Sequence, residues 1–168
     1  MKRELIATTT FGLEAVARRE IENLGYEIIK TEDGKLTYAG DSKAIAKSNL
    51  WLRTADRVLL KMGESEVKNF EDLFQFVKGL PWESIIPKDG CFVVNGTAVK
   101  SKLISLPAIQ RTIKKAMVLR LSEAHGEGLP ETGAKYPIRF TLLKDVFTIS
   151  IDTTGAGLHK RGYRVKNV

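Results

Sequence analysis

Apolar and polar positions along the chain fall into blocks of two periods, and these separate into strands and helices. Residues 4–9 form a short run, apolar at Leu5, Ile6 and Ala7, that reads as a buried strand. Thr8, Thr9 and Thr10 offer N-cap hydroxyls before GLEAVARREIENLG. In that segment Leu13, Val16, Ala17, Ile21 and Leu24 keep helical spacing, and Gly25 suits the position just past the helix. Residues 26–32 and 35–40 are β-type runs separated by Asp33-Gly34, a strong hairpin pair. Asp41 caps a second helix running through Ile45, Asn49 and Leu52, and residues 57–63 (RVLLKMG) read as a further strand. The order β-α-β-β-α-β is the ferredoxin-like pattern. Right-handed crossovers then predict a four-stranded antiparallel sheet with both helices on one face.

A polar connection, residues 64–68, marks the predicted domain boundary. Asn69 caps a helix with Phe70, Leu73, Phe74 and Val77 on one stripe, ended by Gly79. LPWESIIPKDG reads as a loop held to the core by Trp82, Ile85 and Ile86. CFVVNGTA, residues 91–98, is a strand in which Asn95-Gly96 signals a turn or bulge. A helix from Pro107 to about residue 122 follows, then a polar, Gly-rich loop (124–135). Strands 136–143 and 146–152, joined by Lys144-Asp145, close the pattern. The fold class expected is α+β: a ferredoxin-like unit over residues 1–64, a second α/β domain over 65–155, and a basic linker over 156–168. No internal repeat or low-complexity segment interrupts it.

Charge adds a direction to this picture. The chain carries a formal +7, which favours an acidic partner, nucleic acid or an anionic membrane. Residues 1–64 hold 11 Lys+Arg against 10 Asp+Glu, whereas residues 65–168 hold 16 against 10, so the surplus belongs to the second part. No carboxylate occurs between Asp89 and Glu123, and residues 99–121 contain six basic side chains. On the Pro107 helix Ile109, Ile113, Ala116 and Met117 share one side, and Arg111, Lys114 and Lys115 lie together on the other. Lys100, Ser101 and Lys102 add a basic turn ahead of the helix N-terminus, where anions are favoured. Arg120 falls on the apolar side of the wheel and is left out of the site. In the tail, Lys160, Arg161 and Arg164 flank Tyr163, a second basic stretch with an aromatic for stacking, or else a solvated tether.

Enzyme signatures are missing. Cys91, His125 and His159 are too few and too scattered for a zinc site, and neither a Walker-type lysine loop nor a nucleophile elbow is present. The two histidines read as solvated loop residues and Cys91 as a small core residue, so no catalytic, cofactor or metal site is expected in these residues. A single cysteine fits a reducing compartment. Neither a signal-peptide core nor a run of transmembrane length is found, so a soluble, cytoplasmic protein is expected, with no membrane partner.

FGLE (residues 11–14), NLWLRTADRVLL (49–60), the FEDLF…LPW run (70–82), AVKSKL (98–103) and LHKRGYR (158–164) together resemble the N-terminal half of bacterial THUMP-containing RNA methyltransferases, in particular the 23S rRNA guanine-N2 methyltransferases. The resemblance implies a ferredoxin-like domain followed by a THUMP domain, an RNA-binding module. It also implies that LHKRGYR leads into a Rossmann-like domain that binds S-adenosylmethionine. Neither that domain's cofactor loop nor its Asn/Asp-Pro-Pro-Tyr motif has a counterpart in these 168 residues. RNA-facing positions carried across are Lys100, Ser101, Lys102, Arg111, Lys114 and Lys115. Arg53 and Arg57 match the family's WLRTADR stretch, with an ion pair to Asp56 or Glu64 as the structural alternative. Two other readings stay open: the RNA module of another THUMP enzyme, a tRNA methyltransferase or thiouridine synthase, and a ferredoxin-like ligand-binding regulatory module.

Overall fold

A computed structural model describes residues 2–154, which fall into two compact units, 2–61 with 151–154, and 62–150. The LHKRGYR stretch, with Lys160, Arg161 and Arg164, lies outside the described residues.

The first unit is built from β1 (Arg3–Thr9), α1 (Glu14–Asn23), β2 (Glu27–Glu32), β3 (Lys35–Gly40), α2 (Ser42–Trp51) and the first part of β4 (Ala55–Glu66). Its strands stand in the order β2-β3-β1-β4, antiparallel at every pairing. This is the sheet expected of a βαββαβ chain. Gly34 turns the β2–β3 hairpin at φ +74°, closing it on the Glu32↔Lys35 pair. Asp41 caps α2, accepting from the Ala44 N–H at 3.1 Å. The start of α1 differs from expectation, because no threonine hydroxyl caps it. The Glu14 carboxylate takes the Gly12 and Gly34 N–H groups at 2.8 and 2.9 Å instead, and these bonds, led by that from Gly34, hold its pKa below the ordinary value. The buried stripe of α1 is also narrower than its spacing suggests: Ala17 and Ile21 are buried, whereas Leu13 and Val16 are exposed. In the core, the Tyr38 hydroxyl donates to Ser48 Oγ at 2.6 Å, and burial pushes the phenol up to about 12.

The second unit holds the rest of β4, α3 (Phe70–Lys78), a 3-10 turn (Trp82–Ser84), β5 (Cys91–Val99), α4 (Leu106–His125), β6 (Lys135–Leu143) and most of β7 (Val146–Asp152). Residues 64–66, expected as a polar connection, extend β4. Their alternation is that of a half-exposed strand, and Glu64 and Val67 are tied down by Thr148 Oγ1 at 3.0 Å and the Asp145 carbonyl at 2.8 Å. Asn69 Oδ1 caps α3 through the Asp72 N–H at 2.7 Å. Trp82 is fully buried with its Nε1–H on the Val77 carbonyl at 2.8 Å, which pins the 80–90 loop to the end of α3. Phe76, Phe147 and Phe140 form a chain of ring contacts through the centre.

β5 and β6 run parallel in unbroken register from Cys91↔Lys135 to Val99↔Leu143. Parallel neighbours require a crossover, and α4 is that crossover. Asn95-Gly96 is therefore no turn. A Cβ at Gly96 would stand 2.2 Å from the Phe140 carbonyl oxygen and 2.5 Å from its ring, so glycine is there for close approach. Lys144 and Asp145, both at positive φ, make the tight β6–β7 connection. With the order β7-β6-β5, β5 forms an edge of this unit's sheet, and α4 packs beside it.

Candidate nucleic-acid interface

Ser105 caps α4 with its hydroxyl toward the Ala108 N–H (3.4 Å), and Pro107 lies in the first turn, where its missing N–H has no helical acceptor to lose. Ile109, Ile113, Ala116, Met117 and Leu121 are buried, which turns Arg111, Lys114 and Lys115 outward, all exposed. The helix ends at His125, not near residue 122. His125 Nε2 lies 2.9 Å from the Ile86 carbonyl and the ring is half-buried, so the histidine is a structural helix terminus and not a solvated loop residue.

Between α4 and the free edge of β5 runs a groove of about 350 Å³, lined by Phe92, Val93, Val94, Pro107, Gln110, Arg111 and Lys114. Gln110, which the charge pattern did not single out, spans it: Nε2 donates to the Val94 carbonyl on the strand edge at 3.0 Å. Lys114 Nζ stands 5.5 Å from the centroid of the buried Phe92 ring, close enough for a cation–π contact. The structure thus gathers Arg111 and Lys114 at one groove, with Lys115 beside them on the open helix surface.

Lys100, Ser101 and Lys102 form the turn leaving β5, ahead of α4. The turn's polar groups are engaged with the β6–β7 connection. Ser101 Oγ donates to the Val99 carbonyl and accepts from the Asp145 N–H, both at 3.0 Å, and Asp145 Oδ1 accepts from the Lys102 N–H at 2.8 Å. Ser101 and the Lys102 backbone N–H are structural, and a carboxylate sits against a stretch whose own sequence holds none. The Lys100 and Lys102 ammonium groups still extend from an exposed turn, with Lys100 at φ +51°. A second acid meets the helix: Glu131 Oε1 lies 3.7 Å from Lys114 Nζ. Sequence offers no signal for that contact, since 17 positions and a loop separate the partners.

The excluded and alternative residues also find places. Arg120 is bidentate to Glu83, at 2.9 and 2.7 Å, and reaches the Lys78 carbonyl at 3.3 Å, which ties α4 to the end of α3. That pairing, first through its hydrogen bonds, lowers the Glu83 pKa and raises that of Arg120. Arg57 pairs with Asp152 at 2.8 Å rather than with Asp56 or Glu64, and the Arg53 N–H donates to Glu20 at 3.0 Å. The first unit has a recess of its own, about 320 Å³, lined by Lys2, Gly25, Tyr26, Glu27, Ala39, Gly40 and Asp41. Lys2 is its single cation, and Asp41 is engaged as a helix cap. Among the described residues no three His, Cys, Asp or Glu side chains converge on a point, and no helix is long and apolar enough to cross a membrane.

Family models account for nearly all of both units: the RlmL ferredoxin-like domain matches residues 4–59, and the THUMP domain residues 67–152. The chain belongs to the THUMP family. Its ferredoxin-like domain followed by a THUMP domain is the arrangement that the sequence resemblance implied, and the α4 groove lies in the THUMP domain. A Bacillus subtilis (strain 168) protein named "Putative RNA methyltransferase YpsC" is 47% identical over 167 residues, 98% of this chain and 43% of that protein. A structure from Listeria monocytogenes str. 4b F2365, named a predicted N6-adenine-specific DNA methylase, superposes with a TM-score of 0.89 at 48% identity, covering 98% of this chain and 44% of that one. SMU.472, a methyltransferase by name and complexed with SAH, gives 0.87 at 43% identity, covering 97% and 44%. The THUMP chain described here therefore spans less than half the length of these relatives.

Proposed function

We propose that this chain is the RNA-gripping part of a cytoplasmic, S-adenosylmethionine-dependent methyltransferase whose substrate is guanine N2 of 23S rRNA. The observation that carries the RNA grip is the outward cationic side of α4, Arg111, Lys114 and Lys115, set along a groove at an open strand edge of a THUMP domain. Cations there meet phosphates, which give affinity and orientation. Choice of RNA comes from its shape and unpaired bases. The name of YpsC supports RNA over DNA as the nucleic acid, and SAH on SMU.472 supports S-adenosylmethionine as the methyl donor. That cofactor supplies an electrophilic methyl group. The groove offers it no fitting cradle, since its polar members are Gln110, Arg111 and Lys114, with no carboxylate for the ribose hydroxyls. No step of methyl transfer is assigned to these residues.

The test is charge reversal of Lys114 and Lys115 to Glu, followed by a salt titration of affinity for a structured rRNA fragment. Each phosphate contact contributes about 0.7–0.9 to the slope of log K against log salt, so losing two should flatten it by roughly 1.5. Unchanged affinity and slope in a folded variant refute the assignment. Equal affinity for a DNA duplex of the same length would turn the reading toward the activity in the Listeria protein's name, and loss of guanine-N2 methylation in 23S rRNA on deleting the gene tests the substrate.

A further inference from the structure

Lys114 carries two partners of different permanence. Its ammonium lies over the Phe92 ring, which is buried and fixed in β5. Its other partner, the Glu131 carboxylate, comes from the Gly-rich loop between α4 and β6 and stops at 3.7 Å, beyond hydrogen-bond range. Both side chains of that pair are well exposed, 49% and 38%. The loop is anchored at each end, by the Gly126 N–H on the Ser122 carbonyl at 2.9 Å and the Gly133 N–H on the Asp89 carbonyl at 2.7 Å. Between those anchors Glu131 takes φ +51°, which an L residue rarely adopts. An acid is thus held, loosely, on one of the two helix cations that line the groove.

We infer that Lys114 is the centre of a phosphate subsite and that Glu131 occupies it in the free protein as a resident competitor, displaced by a phosphate of the RNA backbone. This deepens the RNA-binding reading and rests on it. A phosphodiester oxygen forms a charge-assisted hydrogen bond at about 2.7–2.9 Å, closer than Glu131 comes. The Phe92 ring keeps the ammonium at the groove mouth during the exchange, so only the loop carboxylate has to leave. Arg111, one turn earlier on the helix and lining the same groove, lies on the path of the next phosphate.

A double-mutant cycle on the full 168-residue chain tests this, read as affinity for a labelled hairpin oligoribonucleotide at low salt. Glu131→Gln should tighten binding about two- to fivefold, the range of an exposed ion pair. Glu127→Gln, which removes the same charge from an exposed position in the same loop, should give a smaller gain, and this measures the long-range part. In a Lys114→Gln background the gain from Glu131→Gln should fall to that control value. A gain equal to the control, or one that persists in full without Lys114, overturns the inference. If Lys114→Gln weakens binding while Glu131→Gln does nothing, the competitor falls and the RNA grip stands. If Lys114→Gln has no effect, the subsite falls, while the RNA grip is decided separately by the charge reversal of Lys114 and Lys115.

Discussion

Gly96→Ala is the sharpest test of how the groove's strand is held. In the parallel register Gly96 faces Phe140, and an added Cβ would lie 2.2 Å from the Phe140 carbonyl oxygen and 2.5 Å from its Cγ and Cδ1. Two exits exist, and both are obstructed. Opening the β5–β6 ladder by roughly 1 Å, enough for van der Waals contact, costs its hydrogen bonds, each worth about 1 kcal/mol net. Swinging the Phe140 ring pushes it against Phe147, 5.9 Å away between centroids, which itself meets Phe76 edge-on at 6.1 Å. Overpacking of this kind costs about 1–3 kcal/mol. Alanine recovers about 0.4–1 kcal/mol through the unfolded chain. With one or two ladder bonds weakened, the net is about 2–3 kcal/mol of destabilisation. That is a large part of the ~5–15 kcal/mol typical of a domain. The assay is urea unfolding, in which the midpoint should fall at unchanged slope. Phe140→Ala should be less harmful in the Gly96→Ala background than alone, since it removes the Cγ and Cδ1 in collision and leaves only the carbonyl oxygen. Unchanged or increased stability for Gly96→Ala would mean that residues 95–96 form the turn their sequence suggests, and the edge-strand groove would lose its frame.

Two further outcomes follow from the local geometry. Burial raises the Glu20 pKa, but hydrogen bonds from the Thr54 hydroxyl and from the Arg53 and Thr54 N–H groups outweigh it, and the net shift is downward. A depressed folded-state value contributes stability above the ordinary carboxyl range that is lost as pH falls through it. The stability difference between the wild type and Glu20→Gln should therefore shrink steadily on acidification, and a difference independent of pH would refute the role. Lys144→Asn should stabilise the β6–β7 hairpin by about 0.5–1 kcal/mol, read from thermal unfolding, because Lys144 sits at φ +50° and Asn tolerates that region far better.

Local signals were legible in this sequence wherever the interaction that fixes the structure is itself local. Asp33-Gly34 and the Asp41 and Asn69 caps have partners within a few residues, the Ile109–Met117 stripe is a local periodicity, and the structure shows each of them. Reading failed where the deciding partner is remote. Gly96 resembles a turn until Phe140, 44 positions on, is brought against it. Residues 64–67 resemble a linker until Thr148 donates to Glu64 and the Asp145 carbonyl accepts from the Val67 N–H. The candidate site teaches the same lesson with opposite sign. A stretch of 33 residues between Asp89 and Glu123 with no carboxylate looks like an uncompensated cationic surface. In space three acids enter it: Glu83 pairs with Arg120 on the packed side of α4, while Asp145 and Glu131 meet the basic turn and the outward helix face, and these two enter differently. Asp145 takes the Lys102 backbone N–H at 2.8 Å and fixes the turn while leaving the ammonium outside that bond. Glu131 meets an ammonium directly, at a distance too long to be a bond and with solvent access on both sides. The first arrangement is suited to building a site, because a backbone bond holds the turn without neutralising its lysine. The second is suited to exchanging with a ligand, because a loose, exposed pair contributes little and is easily replaced by a phosphate. Under the proposed RNA grip the acid-free interval supplies the cations, and a remote carboxylate, Glu131, decides which of them is paired in the free protein.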